Sequence, residues 1–323
     1  MTKTARLAAL LAILSLAACS GSNSVIESQR TGAISITSKQ ISATLLPAAE
    51  TVVGGSATNM NGEKTVVKDP SRIVSVASGA AEIVVALGLG ANLVGRDIAS
   101  DSPAVNNVAA VTDAHALSVE KVLAQKPTLL IIDEQTGPSE SLSAISKAGV
   151  QIIQIQSAWK ISDIAPRITQ IANALGVPAQ ANKLNRELLI QDQPLTQLKV
   201  AFLYLRGTSS IYLLGGKGSG ADAMIRAAGA NDVGASAGLG AFTPLTPEAL
   251  SKSAPDVLLV MTKGLASVGG LQGLLQLPGV AQTPAGKYKQ VVAVDDGLLL
   301  AFGADTKNII ERLTAAFSQM RTS

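Results

Sequence analysis

Two halves of this chain carry the same short motifs in the same order, and this internal repeat constrains the fold more than any other feature. The shared motifs are Ser-Gly-Ala, Gly-Ala-Asn-x-Val-Gly and Leu-Ser/Thr-x-Glu. Their positions are 78–80 and 219–221, 90–95 and 229–234, and 117–120 and 245–248. One match could arise by chance in a chain rich in Ala and Gly, but three in register indicate a duplicated structural unit. The repeat therefore predicts two homologous lobes.

Each repeat alternates between strand and helix patterns, which is typical of α/β lobes with parallel or mostly parallel sheets. Apolar, β-branched runs predict strands at 73–76, 129–132 and 152–155 in the first lobe, and at 201–205, 257–260 and 291–294 in the second. Ligands of such open sheets bind beyond the carboxyl ends of the strands. Two facing lobes therefore predict a ligand cleft between them.

A helical pattern joins the two predicted lobes, because apolar side chains recur at helical spacing between residues 161 and 198. They are Ile164, Ile168, Ile171 and Leu175 and, after Pro178, Leu184, Leu188 and Leu189. A helical connection of this length predicts a stiff link. We therefore expect an N-terminal lobe over 71–160, a long bridging helix over 161–198 and a C-terminal lobe over 199–323.

The first residues are typical of a bacterial export signal. Lys3 and Arg6 precede an apolar run, residues 7–18, which is too short to span a bilayer. Small residues end the run directly before Cys19, the only cysteine. This arrangement resembles the lipobox, in which the cysteine becomes the lipid-bearing first residue of the mature protein. An ordinary signal peptidase site beside an incidental thiol is the alternative.

Serine, threonine and glycine are abundant from Cys19 to residue 70, and this composition favours a flexible tether. Within it, residues 33–46 alternate enough to predict a strand or two. We expect residues 1–18 to be removed and the tether to hold the body off the membrane. The predicted product is extracytoplasmic and lipid-anchored.

Composition excludes several classes of function. The 26 Lys and Arg nearly balance the 23 Asp and Glu, so the chain offers no basic footprint for nucleic acid. One Cys and one His exclude disulfide scaffolds, zinc fingers, iron–sulfur clusters and multi-histidine metal sites. No set of acid, base and nucleophile accompanies the single His. We therefore expect a binding protein rather than an enzyme.

An exported lipoprotein with two α/β lobes and a helical bridge resembles the class III substrate-binding proteins of ABC importers, which carry haem (heme), siderophores or cobalamin. The resemblance extends over about residues 70–320. Its most specific element is the tandem Leu-Ser/Thr-x-Glu motif, each copy followed by a proline and an apolar strand. Segments 202–207, 218–223 and 295–299 are most similar to the haem-binding lipoproteins. The resemblance implies a monomer that delivers haem to permease subunits for iron acquisition; a siderophore or cobalamin binder is the alternative.

His115 is the only histidine and precedes the helix predicted at Glu120. A lone histidine is usually a solvated surface residue. The internal repeat pairs it with Thr243, in a segment that we expect to face the cleft. In the haem binders that the chain resembles, this loop supplies an axial ligand, and imidazole is a standard ligand of haem iron. We therefore expect His115 to bind the iron.

Tyr204 and Arg206 lie two residues apart at the end of a predicted strand, so their side chains share a face. A cation beside a tyrosine favours the phenolate, a hard anionic donor that suits ferric haem. A structural tyrosine with a solvated arginine is the alternative. The resemblance of 202–207 to haem binders favours Tyr204 as an iron ligand and Arg206 as its partner. Tyr212 and Tyr288 have no arginine two residues away.

Three further residues follow predicted strands and are weaker candidates for the cleft. Arg96 could bind a haem propionate or could pair with Asp97. Trp159 could cover the porphyrin or could cap its own lobe. Lys263 follows the second-lobe strand at 257–260 in a similar way.

Glu120 and Glu248 occupy the same place in the two repeats, near the first turn of a predicted helix. The helix dipole stabilises an acid there, and Ser118 or Thr246 could cap the helix. In the family that the chain resembles, these two positions contact arginines of the permease subunits. Both roles are compatible, and two matched contacts on one body gain from effective concentration.

Overall fold

The computed structural model describes residues 32–113, 116–191 and 193–322. The predicted export signal and Cys19 lie outside the described residues, and so does His115. Within the described ranges, no helix is both long enough and apolar enough to cross a membrane.

Strands and helices alternate along the described chain. The strands are β1 (Ala33–Ile36), β2 (Ser56–Thr58), β3 (Lys64–Val66), β4 (Ile73–Ser75), β5 (Leu93–Arg96), β6 (Ala109–Ala110), β7 (Thr112–Asp113), β8 (Ala116–Leu117), β9 (Leu129–Ile132), β10 (Gln151–Gln154), β11 (Lys199–Arg206), β12 (Ile211–Gly215), β13 (Asn231–Asp232), β14 (Phe242–Pro244), β15 (Val257–Met261) and β16 (Val291–Val294). The α-helices are α1 (Ala80–Val84), α2 (Val119–Ala124), α3 (Ser139–Lys147), α4 (Ile164–Ala174), α5 (Pro178–Glu187), α6 (Ala221–Ala227), α7 (Val233–Ser236), α8 (Pro247–Ser253), α9 (Thr262–Ser267), α10 (Gly270–Gln276), α11 (Pro284–Tyr288), α12 (Asp296–Leu299) and α13 (Thr306–Phe317). A π-helical segment, Val85–Leu89, continues α1, and 3₁₀ turns occupy Ser38–Gln40, Gly90–Asn92, Ile161–Asp163 and Gly207–Ser209.

Each lobe is built on one main sheet. The first-lobe sheet has the order β10-β9-β4-β5-β6, and all its pairs are parallel. The second-lobe sheet has the order β1-β16-β15-β11-β12-β14, with β13 also paired to β11. Its strands are parallel from β1 to β11, whereas β12 runs antiparallel to both neighbours. The predicted α/β class with mostly parallel sheets is confirmed.

The two sheets also share their strand order. The first lobe runs β10-β9-β4-β5, and the second lobe runs β16-β15-β11-β13 in corresponding positions. In each lobe the central strands are flanked by the repeated motifs identified in the sequence. The internal repeat therefore corresponds to two homologous lobes, as predicted.

Repeated glycines mark equivalent turns in the two lobes. Gly79 and Gly220 precede the first helix of their lobes with φ of 71° and 83°, and Gly88 and Gly229 both have a φ of 84°. Residues with a side chain rarely adopt this left-handed region, whereas glycine enters it freely. At Gly88 space is restricted as well, because a Cβ atom would lie 2.2 Å from the carbonyl oxygen of Pro47.

The bridge consists of two helices, α4 and α5, instead of the one long helix that we predicted. A turn at Gly176, whose φ is 74°, separates them, and Pro178 begins α5 at a position where its missing N–H costs nothing. The predicted apolar stripe is buried, as at Ile168 and Ile171, but Leu189 is exposed. Bridge residues belong to one continuous apolar cluster that also contains residues of both lobes.

Residues 33–68 belong to the folded body, which corrects the flexible tether predicted for this part of the chain. β1, within the stretch predicted to hold a strand or two, adds in parallel to β16 of the second lobe. The chain then crosses to the first lobe and the bridge. There the Leu46 N–H donates to the Ala86 carbonyl at 2.9 Å, and the Val52 N–H donates to the Leu175 carbonyl at 3.0 Å. Backbone hydrogen bonds therefore attach this segment to both lobes.

Two buried carboxyl groups meet where the lobes join. Glu82 on α1 of the first lobe and Asp305, just before α13 of the second, line one small cavity. The Ser100 hydroxyl donates to Glu82 Oε2 at 3.2 Å. Burial raises the pKa of Glu82 to about 8, and the charges of Asp305 and Asp97 act in the same direction. Glu82 is therefore a proton-binding group in the folded protein near neutral pH.

We expect the protein to lose stability as pH rises from 5 to 8.5, and Glu82→Gln to flatten this slope. Between the ordinary glutamate pKa of 4.5 and the folded value of about 8, the folded chain holds a proton that the unfolded chain has lost. Each rise in pH within this window therefore favours unfolding. Urea midpoints at pH 5 and pH 8.5 measure the slope, with the exposed Glu311→Gln as control. An identical slope in Glu82→Gln and wild type would contradict this assignment.

Candidate functional site

A cleft of about 680 Å³ lies between the lobes and is lined by both of them and by the bridge. This volume is within the range of small-molecule sites in proteins. Most lining residues directly follow strands of the two parallel sheets, where the fold class places ligands. Apolar side chains on the walls include Val76, Ile98, Leu117, Trp159, Met261 and Leu300. Charged side chains are Asp97, Asp133, Asp296, Arg167, Arg206 and Lys263.

Tyr204 projects from β11 into this cleft. β11 pairs with β15 in parallel on one side and with β12 in antiparallel fashion on the other. Both neighbours therefore hold in place the strand that carries the phenol. The tyrosine ring packs edge-on against Phe242 of β14, with 5.6 Å between the ring centroids. Tyr204 is half-buried and lines the cleft. The site therefore presents one phenol on a rigid strand.

Arg206 shares the face of β11 with Tyr204, as the spacing of two residues predicted. Its Cζ atom lies over the tyrosine ring, 4.4 Å from the centroid. Nη1 donates to the carbonyl oxygen of Leu205 at 2.9 Å, and Nη2 lies 3.7 Å from Asp296 Oδ1. The Arg206 side chain is 31% exposed, so its charge is partly screened. A positive charge is nevertheless held against the phenol ring.

Asp296 was not identified from the sequence as a site residue, although it lies in the 295–299 segment that resembles haem binders. Its Oδ2 accepts the backbone N–H of Lys263 at 2.9 Å and is 3.4 Å from the Thr262 hydroxyl. These bonds leave Oδ1 directed to Arg206. Asp296 therefore links the start of α9 to the arginine above Tyr204.

Arg167 and Asp133 form an ion pair at the inner surface of the cleft. Arg167 is only 1% exposed, and its Nη2 lies 3.7 Å from Asp133 Oδ2. Burial lowers the pKa of the arginine and raises the pKa of the aspartate, and each charge partly offsets the effect on the other. Arg167 Nη1 also donates to the Ala301 carbonyl of the second lobe at 3.3 Å. The bridge thus contacts both lobes through one side chain.

Trp159 and Arg96 have different surroundings in the structure. Trp159 lines the cleft, is 38% exposed, and donates its backbone N–H to Asp163 at 3.0 Å. Arg96 is not among the described lining residues. Its guanidinium donates to the carbonyl oxygens of Val105 at 2.9 Å and Asp97 at 2.9 Å, so it supports a first-lobe loop. The structure brings Trp159, but not Arg96, together with Tyr204.

His115 lies outside the described residues. β7 and β8, which flank it, pair in antiparallel fashion through Thr112 and Leu117. Both of these residues line the cleft.

Glu120 and Glu248 are exposed in the first turns of α2 and α8. The caps suggested by the sequence are present, because Ser118 accepts the N–H of Lys121 and Thr246 accepts the N–H of Ala249. The hydroxyl groups of Ser118 and Thr246 therefore cap these two helices, and neither glutamate side chain serves as a cap.

The fold of this chain is similar to that of solved haem-binding proteins. The solved haem-binding protein HmuT has a TM-score of 0.77 and 33% sequence identity, covering 90% of this chain and 98% of HmuT. Three further HmuT structures each carry an alanine in place of an arginine, a histidine or a tyrosine. The substituted arginine follows the substituted tyrosine by two positions.

Sequence relatives and a family model give the same classification. The ABC transporter substrate-binding lipoprotein YvrC of Bacillus subtilis (strain 168) is 27% identical over 265 residues, 78% of this chain and 82% of YvrC. A vitamin B12-binding protein of Vibrio parahaemolyticus is 28% identical over 140 residues, 43% of this chain and 50% of that protein. The family model described as periplasmic binding protein matches residues 73–298. The resemblance to substrate-binding proteins of ABC importers is confirmed, and the chain belongs to the periplasmic binding protein family.

Proposed function

We propose that this protein captures ferric haem outside the cytoplasm and delivers it to an ABC importer. One observation carries the proposal: the cleft holds a tyrosine with an arginine cation stacked on its ring, 4.4 Å from the centroid. The fold around this pair is similar to that of the haem-binding protein HmuT over 90% of the chain. HmuT also has a tyrosine and an arginine two positions apart, each the subject of an alanine variant.

Tyr204 is the proposed anionic ligand of the iron. Phenolate is a hard donor that matches Fe(III), and the Arg206 charge favours phenolate over phenol. The carbonyl of Leu205 and the carboxylate of Asp296 hold the guanidinium in place. The contact between Tyr204 and Phe242 limits rotation of the phenol ring. These contacts preorganise the ligand before haem arrives.

His115 is the proposed second axial ligand, from the opposite lobe. Two observations support it: Thr112 and Leu117, three and two residues away in the chain, line the cleft, and a histidine variant of HmuT has been solved. Ligands from both lobes would fasten the cleft around the porphyrin. The apolar walls, including Trp159 and Met261, suit the faces of the macrocycle.

A cobalamin binder is the second candidate, because vitamin B12-binding proteins are among the sequence relatives. These similarities cover less of the chain than the similarity to HmuT. A cobalamin site would also leave the pairing of Tyr204 with Arg206 without a role.

Members of this family bind and release a transported ligand, and we propose that this chain likewise performs no turnover.

Membrane attachment and docking complete the proposal. A lipid on Cys19 would keep the protein, as a monomer, near its permease, and an unmodified Cys19 thiol in the mature protein would contradict this.

Glu120 and Glu248 are exposed, one on each lobe, at equivalent helix starts. Such a pair suits two arginine-bearing permease subunits related by approximate symmetry.

Charge reversal at both docking positions tests that role. Glu120→Lys with Glu248→Lys should abolish most haem uptake into cells and leave haem binding unchanged, because the exposed side chains lie outside the cleft. Glu140→Lys is a matched control, since Glu140 is also an exposed acid in a first helical turn but has no repeated counterpart. Loss of stability of about 0.3–1 kcal/mol per site with normal uptake would show that the glutamates act only on the helix dipole.

Titration of the purified protein with ferric haem, followed at the Soret band, tests the ligand. We expect one haem per chain and no spectral response to cobalamin. Tyr204→Phe should weaken ferric haem by about tenfold or more, equivalent to about 1.4 kcal/mol, because the anionic ligand is lost. His115→Ala should shift the Soret band with a smaller loss of affinity.

Tyr288→Phe is the control for this titration. Tyr288 also has an arginine near its ring, Arg321 at 5.7 Å, but is not among the lining residues of the cleft. The Tyr288→Phe variant should therefore bind ferric haem with the affinity of the wild-type protein. Equal affinity in wild type, Tyr204→Phe and His115→Ala would show that the ligands are assigned to the wrong residues, and binding of cobalamin alone would favour the second candidate.

A further inference from the structure

A second, much smaller cavity lies where the two lobes touch, and among the described residues it shares no lining residue with the cleft. Its volume is about 10 Å³, which is the room of one water molecule or one ion. Glu82 lines it from the first lobe, and Asp305 lines it from the second. The lobe backbones meet here, because a Cβ atom on Gly303 would lie 2.6 Å from the Gly79 carbonyl oxygen. An occupant of this cavity would therefore contact both lobes.

Asp305 has carboxylate oxygens that no hydrogen-bond donor satisfies. Its side chain is buried, with only 5% of the residue exposed, and among the described residues neither Oδ1 nor Oδ2 has a hydrogen-bond partner. The Ser102 hydroxyl offsets part of the rise that burial causes in the pKa of Asp305, but it forms no hydrogen bond of ordinary geometry. Burying a carboxyl group without a partner is costly, so these two oxygens point to an occupant that binds them.

The charge around the cavity is negative. The charges of Asp305 and Asp97 both act on Glu82 to raise its pKa. Arg167 lies within electrostatic range of Glu82, but its ion pair is with Asp133, and its Nε and Nη2 atoms form no hydrogen bond. Within the described ranges, neither Glu82 nor Asp305 forms an ion pair with a lysine or arginine. An occupant that carries positive charge therefore suits this cavity better than a neutral one.

We infer that Glu82 and Asp305 bind one hard divalent cation, best matched by Ca²⁺, and that this ion ties the two lobes together. Ca²⁺ takes carboxylate, hydroxyl and carbonyl oxygens in flexible geometry, and the side chains at this cavity offer no nitrogen or sulfur ligand. The described residues contain no group of three or more His, Cys, Asp and Glu side chains placed to hold a metal ion. Two carboxylates therefore carry the site, and hydroxyl or backbone oxygens complete it. With so few charged ligands, we expect a dissociation constant of about 10⁻⁴–10⁻³ M, as in extracellular calcium modules.

Protons compete with the cation for the same oxygens. Burial raises the pKa of both carboxyl groups, and that of Glu82 to about 8. A cation must displace these protons, so its binding should strengthen as pH rises and should release protons. The inference goes beyond haem capture and does not depend on it, because the cavity lies outside the cleft.

Melting temperatures of the purified protein, first freed of metal with EDTA, test this inference. At pH 8.5, 5 mM CaCl₂ should raise the melting temperature by about 2–4 °C relative to NaCl of equal ionic strength. At pH 5.5 the shift should vanish. Glu82→Gln and Asp305→Asn should each abolish the shift at pH 8.5, whereas the exposed Glu311→Gln should retain it. Equilibrium dialysis at pH 8.5 should find one Ca²⁺ per chain in wild type and in Glu311→Gln, and none in the two cavity variants.

Two outcomes would overturn the inference. An equal Ca²⁺ shift in wild type and Glu82→Gln would place the ion elsewhere on the chain. Absence of Ca²⁺ binding by wild type at pH 8.5, together with a higher melting temperature of Glu82→Gln than of wild type, would show that the two acids hold only protons. Glu82→Gln decides the matter alone if Asp305→Asn fails to fold. Neither outcome bears on haem binding, so the proposed function would stand or fall separately.

Discussion

One apolar cluster runs from the first lobe through the bridge into the second lobe, and the geometry of the cleft depends on it. Side chains such as Ile83, Ile168 and Phe202 belong to the same buried body, so the lobes do not behave as separate domains on a soft hinge. The N-terminal segment adds to this constraint, because β1 belongs to the second-lobe sheet while Leu46 is bonded to the first lobe. The cleft is therefore largely preformed.

Charge around Tyr204 is organised by residues on and directly after neighbouring strands of the second-lobe sheet. Arg206 stacks on Tyr204, Asp296 holds Arg206, and the same carboxylate holds the backbone of Lys263. One acid thus connects the arginine above the proposed iron ligand to the start of α9. Because β11, β15 and β16 are consecutive in the sheet, small shifts of one element would be shared by the whole site.

Much of this architecture could be predicted from the sequence, because the repeat, the buried strands and the pairing of Tyr204 with Arg206 depend on local patterns. The docking of the N-terminal segment could not, since alternation within 33–46 predicts a strand but does not identify β16 as its partner. The break of the bridge follows from the left-handed turn at Gly176, which helical periodicity conceals. Arg167 had a visible signal, a charge on the core-facing side of α4, but its pairing with Asp133 depends on tertiary structure.

Resonance Raman spectroscopy of the ferric haem complex tests whether Tyr204 binds the iron, because excitation in a phenolate-to-iron band enhances only tyrosine bound to the metal. We expect phenolate ring modes in the wild-type complex and in Tyr288→Phe, and their loss in Tyr204→Phe. A haem-loaded wild-type protein without phenolate modes, or modes that persist in Tyr204→Phe, would contradict this assignment.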